Sequence, residues 1–395
     1  MRVTVLLILL LASPAASAVT LHDALEQAWA RTPQGQALRA RQAEIEARQR
    51  ALDVPWAGSP AATFSYRSDR LTQDNGATEW EAELGMPIWL PGERGARRAT
   101  LAAEREAQIT ELLARRLELA GQLRESVWAA KLSESALALA QQRGRAAEEL
   151  EQDVARRLKA GEVARSDYNL ARSELLTVRS EQTDARIRLA QALQVYAALT
   201  GSQQLPDPAQ EGVRAAEPLD DHPLLSAQRH AIALAQARLK QVAEVRRDSP
   251  EVSVSSRWDR ATFNESYINV IGIKIRLPFS TDSRNRPAIA SANAVLVEAQ
   301  AEYSRTRARL ELAIEQAQRE LLAAESVLDL VRQKQALTAD NLKLAQKAYT
   351  LGEFDMVSLL RVRAAAFQAD QELARQQIDV LRAQARLNQA RGVLP

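Results

Sequence analysis

Between Ala288 and Tyr349 the chain holds neither glycine nor proline. Apolar residues there recur at alternating steps of four and three: Leu310, Ile314, Ala317, Leu321, Ala324, Leu328 and Val331. That spacing keeps one face of a helix apolar and is the seam of a coiled coil. It extends back through Tyr303 and Leu296 and forward through Leu342, Ala345 and Tyr349. The intervening residues are mostly Ala, Glu, Gln and Arg, which cost a helix little. At about 1.5 Å per residue the helix is roughly 90 Å long. Taken alone it reads as an elongated coiled-coil stalk. A second long helix is predicted over Glu93–Leu158. Glycine-marked turns follow both, at Lys159-Ala160-Gly161-Glu162 and Thr350-Leu351-Gly352-Glu353, and return helices run over Val163–Thr200 and Phe354–Arg391. The last carries its own seam: Leu360, Ala364, Phe367, Ala374, Ile378, Leu381 and Ala385. Shorter helices, about Gln34–Leu52 and Leu224–Arg247, open the two series.

Before each long helix the period changes to two. Phe64 and Tyr66 interleave with Thr63, Ser65 and Arg67. Trp80, Ala82, Leu84 and Met86 interleave with Glu79, Glu81, Glu83 and Gly85. Val252, Val254 and Trp258 alternate with Ser253, Ser255 and Arg257. Tyr267, Ile271, Ile273, Ile275 and Leu277 share a face opposite Gly272, Lys274 and Arg276. These are two hairpins, turning at Asp74-Asn75-Gly76 and at Thr262–Glu265. An apolar face backed by a charged face suits a barrel with lipid outside and water inside. Trp80, Leu84, Ile271, Ile273 and Ile275 are the expected lipid-facing positions. Nine of the seventeen aromatic residues lie in Trp56–Leu90 or Pro250–Ser280, which suggests interfacial girdles. The competing reading packs the hairpins on a soluble bundle, but the charged row Glu79, Glu81, Glu83 is uniform and no nearby segment supplies a sheet to cover.

The punctuation repeats. Pro33 pairs with Pro223, and Ser59-Pro60 with Ser249-Pro250, at an offset of 190; Pro87 pairs with Pro278, Gly161 with Gly352, and Gly201 with Gly392, at 191. This implies a tandem duplication. The expected layout is a signal segment over 1–18, a first repeat over 19–201, a proline-bearing linker over 202–221 and a second repeat over 222–395. The signal reading rests on Arg2, the apolar run Val3–Ala12 and Ala16-Ser17-Ala18; the alternative is a buried N-terminal helix.

Composition narrows the chemistry. There is no cysteine, so no disulfide, thiolate ligand or lipidated thiol. The formal charge is +2 with both signs interspersed, which gives no electrostatic case for nucleic acid. His22, His222 and His230 lack ligand spacing, and His222 before Pro223 reads as a cap or an exposed residue. No nucleophile motif, phosphate loop or metal cluster is present. No enzyme activity and no cofactor are expected.

Any bilayer crossing must therefore use strands. Four strands cannot close a barrel, and open edges are intolerable in lipid. Two chains would give eight strands, filled by their own side chains; three would give twelve and an open lumen.

The pattern resembles the TolC-type outer-membrane efflux duct family over essentially the whole mature chain. The resemblance is carried by the duplication, the hairpin before each long helix and the glycine-marked turns, among them Arg157 to Tyr168 and Tyr349 to Phe354. The strand-to-helix junctions Met86 to Arg97 and Leu277 to Arg286 are closest in flavour to the cobalt–zinc–cadmium resistance branch. The resemblance implies a mainly α fold of long antiparallel coiled-coil helices in a tandem repeat, with four β-strands per chain contributing to a trimeric twelve-stranded barrel above a helical tunnel. It implies a homotrimer in the outer membrane of a Gram-negative bacterium, in contact with outer-membrane lipid. Its partners would be a periplasmic adaptor (a membrane fusion protein) and an inner-membrane pump, as in RND tripartite systems. Heavy-metal cations are one cargo consistent with the branch; drugs and secreted polypeptide are the others.

Within that frame the adaptor-docking tip falls on Gly161, Glu162, Arg165, Asp167, Gly352 and Glu353. The family often places acidic gate residues just beyond the second tip. Here Ser358 and Arg361 stand in those places, so either there is no acidic gate or it is built from Asp355; the competing reading makes Glu353 and Asp355 plain helix N-terminal acids, favourable to the dipole. The function class that competes with a duct is a soluble periplasmic coiled-coil scaffold.

Overall fold

The computed structural model describes residues 19–207, 211–215, 218–279 and 282–395. The expected signal segment and part of the expected linker lie outside them. The element order is α1 (Leu21–Arg31), α2 (Pro33–Ala51), β1 (Ala61–Ser68), β2 (Thr78–Pro87), α3 (Glu93–Ala160), α4 (Arg165–Thr200), α5 (Pro223–Glu244), β3 (Glu251–Arg260), β4 (Ile268–Arg276), α6 (Asp282–Thr350) and α7 (Met356–Ala390). The fold is mainly helical with one four-stranded antiparallel sheet. The second long helix starts six residues earlier than its seam suggested. Pro287 lies inside it, near enough to the start that only one backbone bond is forgone. Helix α1 was not foreseen. It is set by a capping box in which Thr20 and Asp23 satisfy each other's backbone.

The chain divides into two compact units. One comprises the described residues of 1–32, 117–216 and 313–395; the other those of 33–116 and 217–312. This division cuts across the sequence repeats, and α3 and α6 each contribute to both units.

In the first unit, α1 lays Leu21, Ala24, Leu25 and Ala28 against Leu119, Ala120, Leu123 and Val127 of α3 and Tyr196 of α4. The Tyr196 hydroxyl donates to the Gln204 carbonyl at 3.0 Å. Arg124, also buried, pairs with Glu211 and donates to the Val393 carbonyl. Asn388 holds the same strap from α7, accepting from Arg214 N–H at 3.1 Å and donating to the Gly212 carbonyl at 3.0 Å. The expected seam on α6 is its inward face: Leu310, Ala317, Leu328 and Ala345 are buried and the others half-buried. The seam expected on α7 needs correction. Ala364 and Leu381 are exposed, while Leu359, Ala366, Ala369, Val380 and Ala383 are buried. Helix α7 grips two neighbours: Gln376 donates to the Ala324 carbonyl of α6 at 2.9 Å, and Arg363 to the Ala146 carbonyl of α3 at 2.8 Å. A helix with two partners buries two faces, and a single-seam reading finds one.

In the second unit the strand order is β1-β2-β3-β4, with every pair antiparallel. The junction from β2 into α3 is stitched to the segments around it. Trp89 Nε1 donates to the Val54 carbonyl at 3.1 Å, Arg94 to the Leu52 carbonyl at 2.6 Å, and Ile88 N–H to the Pro250 carbonyl at 2.7 Å. Buried Glu93 accepts from Leu90 N–H at 3.0 Å and from the Ser249 hydroxyl at 3.3 Å. His222 caps α5, its Nδ1 accepting from Leu224 N–H at 3.1 Å, as one of its two expected roles allowed.

Candidate functional site

The sheet carries the first set of candidate residues. Register aligns Tyr66, Trp80, Trp258 and Asn269 across the four strands, then Ala62, Leu84, Val254 and Ile273, then Met86, Val252 and Ile275. Alternation puts these on one face with Phe64 and Ile271. The expected lipid-facing residues Trp80, Leu84, Ile271, Ile273 and Ile275 thus share a face, and all five are exposed. An apolar face this bare on a polar chain is a surface awaiting cover. Ile268 and Val270, not singled out in the sequence, fall on the opposite face, paired with Asp259 and Arg257.

That opposite face is built of cross-strand charge pairs. Arg67 meets Glu79 at 3.0 Å, Arg257 lies 4.0 Å from the same carboxylate, and Lys274 meets Glu83 at 3.1 Å. At the hairpin end the two loops lock together: Phe263 N–H donates to the Asn75 carbonyl and Arg260 to that of Gly76, both at 3.2 Å. The outer edges of β1 and β4 have no strand partner among the described residues.

The tips carry the second set. Gly161 and Gly352 have φ of +78° and +79°, the left-handed region that a side chain resists. Around them the two turns make the same bonds. Gly161 N–H reaches the Leu158 carbonyl and Glu162 N–H that of Arg157; Gly352 N–H reaches Tyr349 and Glu353 N–H reaches Ala348. This is the Schellman ending of a helix. The two turns are brought together by one buried cluster, Val154, Ala171 and Met356, flanked by Val163, Tyr168, Tyr349 and Leu360. The Arg157 guanidinium lies 5.5 Å from the centre of the Tyr349 ring, and burial pushes the Tyr349 phenol above its ordinary pKa. Glu162, Arg165 and Glu353 are exposed and Asp167 is half-buried.

The candidate gate residues separate by role. Asp355 is the N-cap of α7: its carboxylate accepts from the Ser358 hydroxyl at 2.7 Å and from Ser358 N–H at 2.8 Å. Those bonds, side chain first, hold its pKa below the usual carboxylate range. Arg361, one turn on, is exposed. The first tip lacks this device, since its N-cap is Ala164 with no side-chain bond.

One feature near the second tip was missed. A shallow groove of about 400 Å³ lies between α6 and α7, lined by Leu344, Ala345, Ala348, Phe354 and Val362. Leu344 belongs to a row off the seam, Leu330, Leu337, Leu344 and Leu351, each 60–68% exposed. Its strict spacing of seven was the available signal. No metal cluster occurs among the described residues.

Residues 216–393 match the family model of outer membrane efflux proteins. No curated protein matches the chain in sequence. Among solved structures, CusC superposes with a TM-score of 0.77 at 19% identity, covering 95% of this chain and 93% of its own. VceC from Vibrio cholerae gives 0.71 at 16%, covering 94% and 96%. The open state of the outer membrane channel MtrE from Neisseria gonorrhoeae gives 0.72 at 16%, covering 94% and 89%. The chain thus carries the sequence of the outer membrane efflux protein family over residues 216–393 and the fold of outer-membrane channels over nearly its whole described length.

Proposed function

We propose that this chain is the outer-membrane duct of a tripartite efflux system, working as a homotrimer with a periplasmic adaptor and an inner-membrane pump. The observation that carries this reading is the sheet: four strands, one bare apolar face, one charged face and two unpaired edges. Three copies pairing β4 of one with β1 of the next remove every edge and give twelve strands around water. Trp80, Leu84, Ile271, Ile273 and Ile275 then face lipid. The row Leu330, Leu337, Leu344 and Leu351 is covered by a helix of the neighbouring copy.

The duct performs no chemistry; its work is to open and close a path. The turns at Gly161 and Gly352 form the adaptor-docking end, with Glu162, Arg165, Asp167 and Glu353 as the charged rim. Asp355, Ser358 and Arg361 narrow the closed end, Asp355 keeping its charge while it caps α7. Export through a signal segment brings the chain to the outer membrane of a Gram-negative cell. Divalent heavy-metal cations are the proposed cargo, in line with the junction motifs, and the pump supplies the selectivity.

The test is assembly and export together. Outer-membrane fractions should hold a heat-modifiable species of three times the mature mass, and its loss should sensitise cells to the cargo. A stable detergent-solubilised monomer with full strand content would end this reading. Gly161→Val and Gly352→Val should each leave trimers in the membrane and abolish resistance. Normal export by both would remove the tips as the docking end.

A further inference from the structure

The register puts the starts of β1 and β3 and the ends of β2 and β4 at one end of the sheet. There the apolar face gives way to Trp56, paired with Ile88, and to Phe279, and then to arginines at the end of α2, in the α5–β3 connection and in the first turns of α3 and α6. Some of these arginines hold the fold together. Arg94 serves the Leu52 carbonyl, Arg97 meets Glu93 at 2.8 Å and Arg98 meets Asp53 at 2.5 Å. Five others, Arg50, Arg246, Arg247, Arg284 and Arg286, are exposed. Arg50 and Arg246 spend one N–H each on a carbonyl of their own turn. Arg284 lies 3.6 Å from Asp248, with both side chains open to solvent. Arg247 and Arg286 meet no acid among the described residues. The hairpin end has no such excess: Asp69, Asp74 and Glu265 there oppose Arg70 and Arg260, and Arg260 is held by the Gly76 carbonyl.

We propose that these five arginines form a collar that holds the phosphates of anionic phospholipid in the leaflet on the helical side. The inference rests on the barrel reading and deepens it by naming the lipid. A guanidinium offers a planar fork of N–H donors that matches phosphate oxygens and keeps its charge at any physiological pH. Its place, just past an aromatic tier that ends an apolar face, is the depth at which headgroup phosphates lie. A zwitterionic headgroup presents the same phosphate beside its own cation, so the collar should prefer a net negative lipid.

The experiment uses the full mature chain purified in detergent and native mass spectrometry of retained lipid. The probes are phosphatidylglycerol, phosphatidylcholine and inorganic phosphate, each added separately. Phosphatidylglycerol should be retained several-fold over phosphatidylcholine, and inorganic phosphate should not displace it. Combining Arg246→Gln, Arg247→Gln and Arg286→Gln should cut that retention several-fold while the heat-modifiable species persists. Arg247→Gln alone, which breaks no hydrogen bond or ion pair among the described residues, should show part of the same loss. Arg186→Gln with Arg188→Gln, on α4 in the other unit, should show none. Equal retention of the two lipids, retention unchanged in the triple variant, or displacement by inorganic phosphate would overturn the proposal while leaving the duct intact. Absence of any assembled species in the unsubstituted protein would overturn the duct and the collar together.

Discussion

Helices α3 and α6 are nearly the same length, 68 and 69 residues, and occupy matching places after their hairpins. Within the first unit α3 buries Leu117, Leu123, Val127, Trp128, Ala147 and Val154, whereas α6 buries only Ala317, Leu328 and Ala345. Helix α3 receives α1 on one side, α4 along its return, and α7 through Arg363 and Glu125. Helix α6 there has α7 along it and meets α3 at the tip, where Arg157 lies over Tyr349, and it leaves a heptad row of leucines in water. The sheet shows the same asymmetry: β2 lies inside it and β4 at its edge. One helix is completed by its own chain. In the proposed trimer the other is half of a contact whose second half belongs to another copy.

The largest effect should come from testing that difference directly. Leu123 is fully buried, so Leu123→Ala should cost the subunit itself about 2–5 kcal/mol, seen as a lower denaturation midpoint at any protein concentration. Leu337→Ser with Leu344→Ser removes leucines that touch solvent in the single chain. It should leave the midpoint of the separated subunit unchanged and abolish the trimer on a gel. If the α6 pair destabilises the isolated subunit as Leu123→Ala does, the two helices are not different in kind.

A smaller effect is expected on the sheet. Ile273→Arg puts a charge on the apolar face at a cost of roughly 2–4 kcal/mol near the membrane midplane, and folding into lipid should fail or slow. Gly272→Arg points to the other face, where the Ser255 hydroxyl would lie 3.0 Å from an added Cβ and can turn away. That variant should assemble with a narrowed lumen and lower conductance. Equal tolerance at both positions would mean that the faces are wrongly assigned.

Much of this was legible in the sequence because it rests on periodicity. The α6 seam and the alternation of β1 to β4 are local patterns, and the structure keeps them with shifts of a few residues at the ends. What escaped was set by partners distant in the chain. The second buried face of α7 depends on where α3 lies. Arg124 looks like any helix-surface arginine until Glu211 and the end of α7 close over it. Helix α1 was legible too, in the helical spacing of Leu21, Ala24, Leu25 and Ala28 behind the Thr20–Asp23 capping box, and passed unread because it is only 11 residues long and ends just before Pro33. The tips were legible through Gly161 and Gly352. The different caps beside them were not, since an aspartate after a turn reads equally as cap, gate or solvent-exposed charge.

The next effect concerns acid. Glu125 of α3 takes bonds from Arg382 and Arg386 of α7, while α6 offers Arg386 only Glu320, at 2.6 Å. Burial acts to raise the Glu125 pKa, and the bonds from Arg386 and then Arg382 outweigh it, so the value lies below the ordinary one. A depressed carboxyl lends stability that is fully present above its unfolded pKa and is lost as pH falls through its folded one. The side chains are partly open to solvent, so the contribution is on the order of 1 kcal/mol. Melting temperature should fall as pH drops through and below the ordinary carboxylate range, and less steeply in Glu125→Gln. An identical acid limb in both proteins would show that this clamp does not couple α3 to α7.

The smallest effect separates cap from gate at the second tip. Asparagine caps a helix about as well as aspartate, and alanine does not. Asp355→Asn should keep the bond from Ser358 N–H and melt like the unsubstituted protein, while Asp355→Ala should melt slightly lower. The charge is lost in both. A gate that uses the Asp355 charge should therefore leak in both variants, raising the basal conductance of reconstituted trimers to a similar degree. A gate indifferent to that charge should leave Asp355→Asn closed. The first tip is the control, since Ala164 already lacks a side-chain cap: Ala164→Asp should firm the start of α4 without changing conductance. If Asp355→Asn stays closed and only Asp355→Ala leaks, the aspartate is there for its hydrogen bonds, and Arg361 is left as the charge to examine at the narrow end.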